Sequence, residues 1–385
     1  MTSLSSRARY LFYTGTALLL LSIGAALATM FVLGTDLDAF IRADPPPPAP
    51  GIQGVTLDAR HRPDSTTYDR LEQLGVSHVA VVPYIFQQDA ETPVFQANHS
   101  SGWATENDRG IQTIGRQLQK RDIELVLKPQ IWLRDDSKGW LHEIAFEEGP
   151  EWTQWKEGYR RHLLHYAHMA ERLEAGVFCV GAETDQLARE HPAFWRSLIT
   201  EVRNVYEGEL TYAANFDSFA QIPFWPVLDR IGVQAYFPLA AQQETVSVSA
   251  LKNRWAPYKA MLAAEASEHN RPVLFTEIGY RSAPMAAQKP WAWPTSEEQK
   301  TVTPDPEMQA KLYQAFYESV WEETWFSGAL LWKWHHHQEA FYDERKIDYT
   351  PQGKPAEAII RQWYRHGPWP GGTTEATEKY GGHTQ

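Results

Sequence analysis

Two glutamates have the setting that chemistry needs. Glu277 closes the apolar run Val273-Leu274-Phe275-Thr276, which follows Arg271-Pro272, and Gly279 comes two residues later. Glu183 closes a similar run, Val177-Phe178-Cys179-Val180-Gly181-Ala182. Val, Ile and Phe favour a pleated, half-buried strand. A carboxylate at the end of such a strand is costly to desolvate unless it has a partner or a task. Two carboxylates facing each other across a cleft can break a glycosidic bond. One acts as acid and then as base, and the other attacks the anomeric carbon, which in the retaining form requires a separation of about 5–5.5 Å. The plainer alternative is that a nearby cation such as Arg281 or Lys333 neutralises each carboxylate.

The elements that would position the pair can be read from hydrophobic spacing. Strand-like runs fall at 52–58, 78–86, 123–133, 177–183, 210–216, 231–237, 273–278 and 329–334. Helix-like runs alternate with them, the clearest at 151–173, 192–205, 251–266, 306–325 and 356–363. Such alternation implies parallel strands with crossover helices, and eight units imply a (β/α)8 TIM barrel. An open doubly wound sheet would carry a glycine-rich turn after its first strand; here that strand ends in Leu57-Asp58-Ala59-Arg60. Both glutamates then sit at the C-terminal rim, on the fourth and seventh strands. Regular alternation puts Val273 and Phe275 in the lumen with Glu277, and Cys179 and Gly181 with Glu183. The long connections lie at 87–108, 134–150, 281–303 and 335–353. In a barrel they share the C-terminal face, where they would line a cleft with Trp103, Trp140, Trp291 and Trp293.

Composition narrows the partners. The net charge of −12 argues against nucleic acid, whose binding needs a basic surface. The sole cysteine, Cys179, excludes an internal disulfide and reads as a buried, inert thiol. His335-His336-His337 is not spaced to close on one ion, so no metal and no cofactor are expected. No G-x-S-x-G elbow supports a serine hydrolase.

Arg7 and Arg9 precede an uncharged apolar stretch over 10–34, and Asp36, Asp38 and Asp44 follow it. That asymmetry predicts a single N-terminal transmembrane helix, with residues 1–9 cytoplasmic and the rest extracytoplasmic (periplasmic or extracellular). A cleaved signal peptide ending at Ala26-Leu27-Ala28 is the rival. Residues 35–50 hold Pro45-Pro46-Pro47-Pro48-Ala49-Pro50, a stiff spacer. The catalytic domain spans 51–366, and 367–385 reads as a disordered polar tail.

Four stretches together resemble the clan A glycoside hydrolases, and within them family 113, known for β-1,4-mannanase activity. They are Val180-Gly181-Ala182-Glu183, Phe275-Thr276-Glu277-Ile278-Gly279-Tyr280, Ile231-Gly232-Val233-Gln234-Ala235-Tyr236-Phe237-Pro238 and Leu331-Trp332-Lys333-Trp334. The resemblance covers residues 51–338. It implies that Glu183 is the acid/base and Glu277 the nucleophile. It also implies that Tyr236 orients Glu277, that Trp332 or Trp334 forms a sugar platform, and that Lys128 and Asn215 bond substrate hydroxyls. Ala182 stands where many clan members carry an Asn. The expected partner is a polysaccharide or oligosaccharide of the β-mannan kind. The alternatives are a non-catalytic carbohydrate-binding barrel and a transglycosylase of envelope polysaccharide metabolism.

Overall fold

The computed structural model describes residues 51–97, 102–241, 246–336 and 347–366. The expected membrane helix, the proline linker, the tail and His337 lie outside them. Among the described residues, no helix is long and apolar enough to cross a membrane.

Eight parallel strands close a barrel among the described residues. In chain order they are β1 (Ile52–Asp58), β2 (His78–Val81), β5 (Glu124–Leu127), β7 (Val177–Ala182), β8 (Glu209–Asn215), β9 (Ile231–Gln234), β10 (Val273–Ile278) and β11 (Phe326–His335). The chain is therefore a (β/α)8 barrel, closed by the pairing of β1 with β11. The helices around it are α1 (Ser65–Leu74), α2 (Asp108–Gln119), α3 (Pro150–Arg172), α4 (Asp185–Glu190), α5 (Pro192–Arg203), α6 (Val248–His269), α7 (Glu298–Thr301), α8 (Pro306–Val320) and α9 (Pro355–His366). Their starts are chemically marked. Asp64, Asn107, Ser247 and Asp305 each accept a hydrogen bond from a backbone N–H of the first turn, worth ~1 kcal/mol apiece. Pro150, Pro192 and Pro306 occupy a first helical position, where no N–H is missed.

Two long expected strands are each divided. The run at 78–86 becomes β2 and β3 (Tyr84–Gln87), and the run at 123–133 becomes β5 and β6 (Gln130–Leu133). Pro83 and Pro129 sit at the breaks, and a residue without an N–H cannot continue the ladder. Beyond the prolines, β3 pairs with β6 on one side and with β4 (Phe95–Ala97) on the other, in a separate three-stranded sheet. The segment at 219–228, between β8 and β9, forms two single 3-10 turns.

The lumen is filled by Ile52, Ala80, Val126, Val177, Leu274 and Leu330. The much larger core lies between the barrel and its helices. Phe275 belongs to that outer core, packed against Trp255, Phe316 and Phe326. Burial of such a ring stabilises by about 1.5–3 kcal/mol. The expected alternation therefore fails: Val273 and Phe275 face the helices, whereas Leu274 faces the lumen. The register of β10 against β9 shifts between Phe275 and Glu277, a bulge that inserts a residue and returns Glu277 to the lumen. The same happens on β7, whose register against β8 shifts between Cys179 and Ala182. Cys179 faces inward, with Ala182 and Ala213. Gly181 faces outward instead, where a Cβ would come within 2.9 Å of Trp195 and Tyr212.

Candidate active site

Glu277 is 4% exposed. Its carboxylate accepts from two donors: the Lys128 ammonium on Oε1 and the Tyr236 hydroxyl on Oε2, the latter at 2.7 Å. Strand pairing sets up this contact. The Ala235 N–H donates to the Glu277 carbonyl at 2.7 Å, which places Tyr236 beside Glu277. Burial, then the Glu277 charge, pushes the Tyr236 phenol well above its ordinary range, so it stays a donor at neutral pH. The cations suggested as neutralising partners are engaged elsewhere. Arg281 lies 3.7 Å from Glu298, and Lys333 pairs with Asp58.

Glu183 lies just past the end of β7. Its φ of 58° is in the left-handed region, unusual for a side chain of this size, and such strain gathers at functional sites. The backbone is tied there by its N–H to the Ala213 carbonyl at 2.9 Å. Among the described residues, the carboxyl receives two neutral amides: Gln130 Nε2 on Oε2 at 3.2 Å, and Gln234 Nε2 on Oε1. Burial pushes its pKa up to about 8, and the Glu277 charge adds to the rise, while Lys128 opposes it.

The two carboxyls are joined by a relay across the lumen. The Lys128 ammonium bonds Glu277 on one side and Gln234 Oε1 on the other, at 3.1 Å. The Gln234 amide then donates to Glu183. Lys128 and Gln234 have no exposed surface. Sequence spacing did not single out Gln130 or Gln234 as contacts of Glu183. Gln234 lay within a quoted motif and Gln130 two residues after Lys128, and that position near the rim was the available signal.

The remaining candidates are distributed unevenly. Trp332 sits at the barrel mouth with Val82, Tyr236 and Tyr349. The close approach of β10 and β11 holds it there, since a Cβ on Gly279 would meet the Trp332 carbonyl at 2.2 Å. Trp334 is packed within the outer core, 2% exposed, which removes it from the cleft. Lys128 lies beneath the carboxylates and bonds Glu277 and Gln234. Asn215 turns its side-chain amide and its backbone N–H to Asp185 at 3.0 and 3.1 Å, and Tyr212 and Ser218 bond the same carboxylate. Ala182 is buried against Cys179 and Ala213 and adds no polar group.

Aromatic rings surround the opening. Trp293 sits edge-on to Tyr349 at 5.0 Å, with Lys333 5.3 Å from its ring. Trp291 stacks on Phe216 at 5.3 Å. Trp132, on β6, approaches Tyr84 at 4.9 Å and is half exposed. Its place on the extra sheet was hidden while β5 and β6 read as one strand. Trp103 is covered by Arg60 at 4.8 Å, and Trp140 is exposed. Among the described residues, no three His, Cys, Asp or Glu side chains gather as a metal site.

Comparison with known proteins agrees with this geometry. The sequence profile of Glycoside Hydrolase Family 113 matches residues 59–354. A family 113 β-1,4-mannanase solved as a complex is 25% identical, with a TM-score of 0.71, covering 83% of this chain and all of that one. The family 113 β-mannanase of Alicyclobacillus acidocaldarius, solved with ManMIm, is 25% identical with a TM-score of 0.70, covering 82% of this chain and 97% of that one. A β-glucuronidase of Faecalibacterium prausnitzii, 11% identical with a TM-score of 0.54 over 83% of this chain and 50% of its own, shares the fold alone. No curated protein matches. With the profile spanning most of the barrel, the chain belongs to glycoside hydrolase family 113 and is a glycoside hydrolase.

Proposed function

We propose that this enzyme hydrolyses β-1,4-mannan or mannooligosaccharides with retention of configuration, Glu277 serving as nucleophile and Glu183 as acid/base. The carrying observation is the difference between the two carboxyls: Glu277 faces an ammonium and a phenol, while Glu183 faces neutral amides and is pushed up to about 8. In the first step a Glu277 oxygen bonds the anomeric carbon, the glycosidic C–O bond breaks, and the Glu183 proton goes to the departing oxygen. In the second, Glu183 takes a proton from water, the water oxygen bonds the anomeric carbon, and the ester to Glu277 breaks. Trp332 offers the sugar a flat apolar face, and Asn215, its amide group turned to Asp185, offers its carbonyl oxygen to a hydroxyl. The choice of mannan rests on the two family 113 mannanases of similar fold.

The test is hydrolysis of β-mannan by Glu277→Ala and Glu183→Ala. Each is expected to lose at least about 10³-fold in kcat, in line with the loss of a positioned acid, base or nucleophile. The first-formed product should carry the β anomer by NMR. Near-wild-type turnover in either variant, or an α product, sinks the assignment.

The apolar stretch at 10–34, with arginines before it and aspartates after it, supports a membrane anchor with the catalytic domain outside the cytoplasm. Protease added to cells stripped of any outer membrane should remove the catalytic domain. Protection until the cytoplasmic membrane is breached contradicts this.

A further inference from the structure

We propose that Lys128 is a positioning residue that governs both carboxyls at once, Glu277 directly and Glu183 through Gln234. The inference rests on the two-glutamate reading above and adds a role for the floor of the site.

An ammonium can only donate, so the Gln234 atom that faces Lys128 must be the amide oxygen. That choice turns the Gln234 NH2 group to Glu183 Oε1. Oε1 is thereby committed as an acceptor, and the acid proton is left to Oε2. The bond from Gln130 to Oε2, at 3.2 Å, is compatible with a hydroxyl oxygen that accepts while its own proton points to the cleft. Lys128 therefore specifies which oxygen of Glu183 presents the proton. At its other end the same ammonium sits on Glu277 Oε1, leaving Oε2 with the Tyr236 hydroxyl.

The arrangement is built rather than incidental. Lys128 is wholly buried, and an ammonium is rarely buried without a partner. Its backbone N–H still pairs with the Val81 carbonyl at 3.0 Å, and Pro129 ends the strand at the next residue. The side chain is thus fixed at the last barrel position of its strand, aimed across the lumen. The groups that face it are Glu277, Gln234 and the Trp332 ring, 5.8 Å away.

The two arms of the relay can be separated. Gln234→Met cuts only the arm to Glu183: the alkaline limb of the kcat/KM profile is expected to move while the acid limb stays. Lys128→Met cuts both: kcat falls about 10²–10³-fold, KM changes less than about threefold, and both limbs move, the acid limb to higher pH. Lys128→Met strands a buried carboxylate, so Lys128→Met/Glu277→Gln, with both charges removed, controls for folding. It should regain the melting temperature that the single variant loses.

Carboxyl titrations followed by NMR in protein labelled with ¹³C at the glutamate carboxyl carbon need no substrate. They decide the relay even if mannan hydrolysis fails in the wild type. Two carboxyl titrations are expected to shift in Lys128→Met and one in Gln234→Met. Unchanged titrations in Lys128→Met, or an acid limb that moves in Gln234→Met, overturn the relay.

Discussion

The two sides of the cleft use the same residue at the same strand level and surround it differently. Glu277 is nearly sealed, yet it meets a cation and a phenol. Glu183 is less sealed, and it is pushed up to about 8, with burial as the first cause and the Glu277 charge as the second. Depth alone thus does not separate the proposed nucleophile from the proposed acid. The charge of the partner does: an ammonium lies against Glu277, whereas neutral amides hold Glu183 and leave the desolvation of its carboxylate form uncompensated. The same two segments serve both carboxyls, and the difference arises from which residue of each faces which one. Lys128 and Tyr236 reach Glu277, while Gln130, two residues past Lys128, and Gln234, two residues before Tyr236, reach Glu183.

Removing the phenol is the sharpest way to break that contrast on the Glu277 side. In Tyr236→Phe the ring stays packed against Val82 and Trp332, and only the hydroxyl donor is lost. A hydrogen bond to a charged group contributes about 1.5–3 kcal/mol, so kcat on mannooligosaccharides should fall about 10- to 100-fold. The melting temperature should change little. Wild-type kcat in this variant would mean that Lys128 alone supports Glu277.

Much of this was legible in the sequence, and the omissions share a physical origin. The barrel followed from alternation, and the end of β10 from Ile278-Gly279. The facing of β10 did not, because strict period-two counting cannot see a bulge: it sent Phe275 into the lumen, whereas the ring packs on α6 and α8. Prolines 83 and 129 were visible, yet apolar residues on both sides concealed that two strands become four. Lys128 stood out as a candidate, but as a ligand contact. Its burial depends on Gln234 and Glu277, which lie 106 and 149 residues away in the chain. Trp332 and Trp334 share a motif, and nothing in it said which ring would face out of the barrel and which would join the core.

A smaller effect sharpens the Glu183 side. Below the ordinary carboxylate range, Glu183 is neutral in both the folded and the unfolded chain. Between about 4.5 and about 8, the folded protein holds a proton that the unfolded chain has released. Stability therefore falls as pH rises through this window, and the loss is complete above it. Glu183→Gln carries no ionisable group and should lack this slope. Its amide also meets the two glutamine NH2 groups, which adds a constant, pH-independent offset. The diagnostic quantity is therefore the change with pH in the difference between the two melting temperatures. That difference should move by a few degrees in favour of Glu183→Gln from pH 5 to pH 8 and then level off, corresponding to roughly 1–3 kcal/mol after allowance for partial solvent screening. Parallel melting curves over that range would show that the amides of Gln130 and Gln234 stabilise the carboxylate as well as the acid. The contrast between the two glutamates would then rest on the Glu277 side alone.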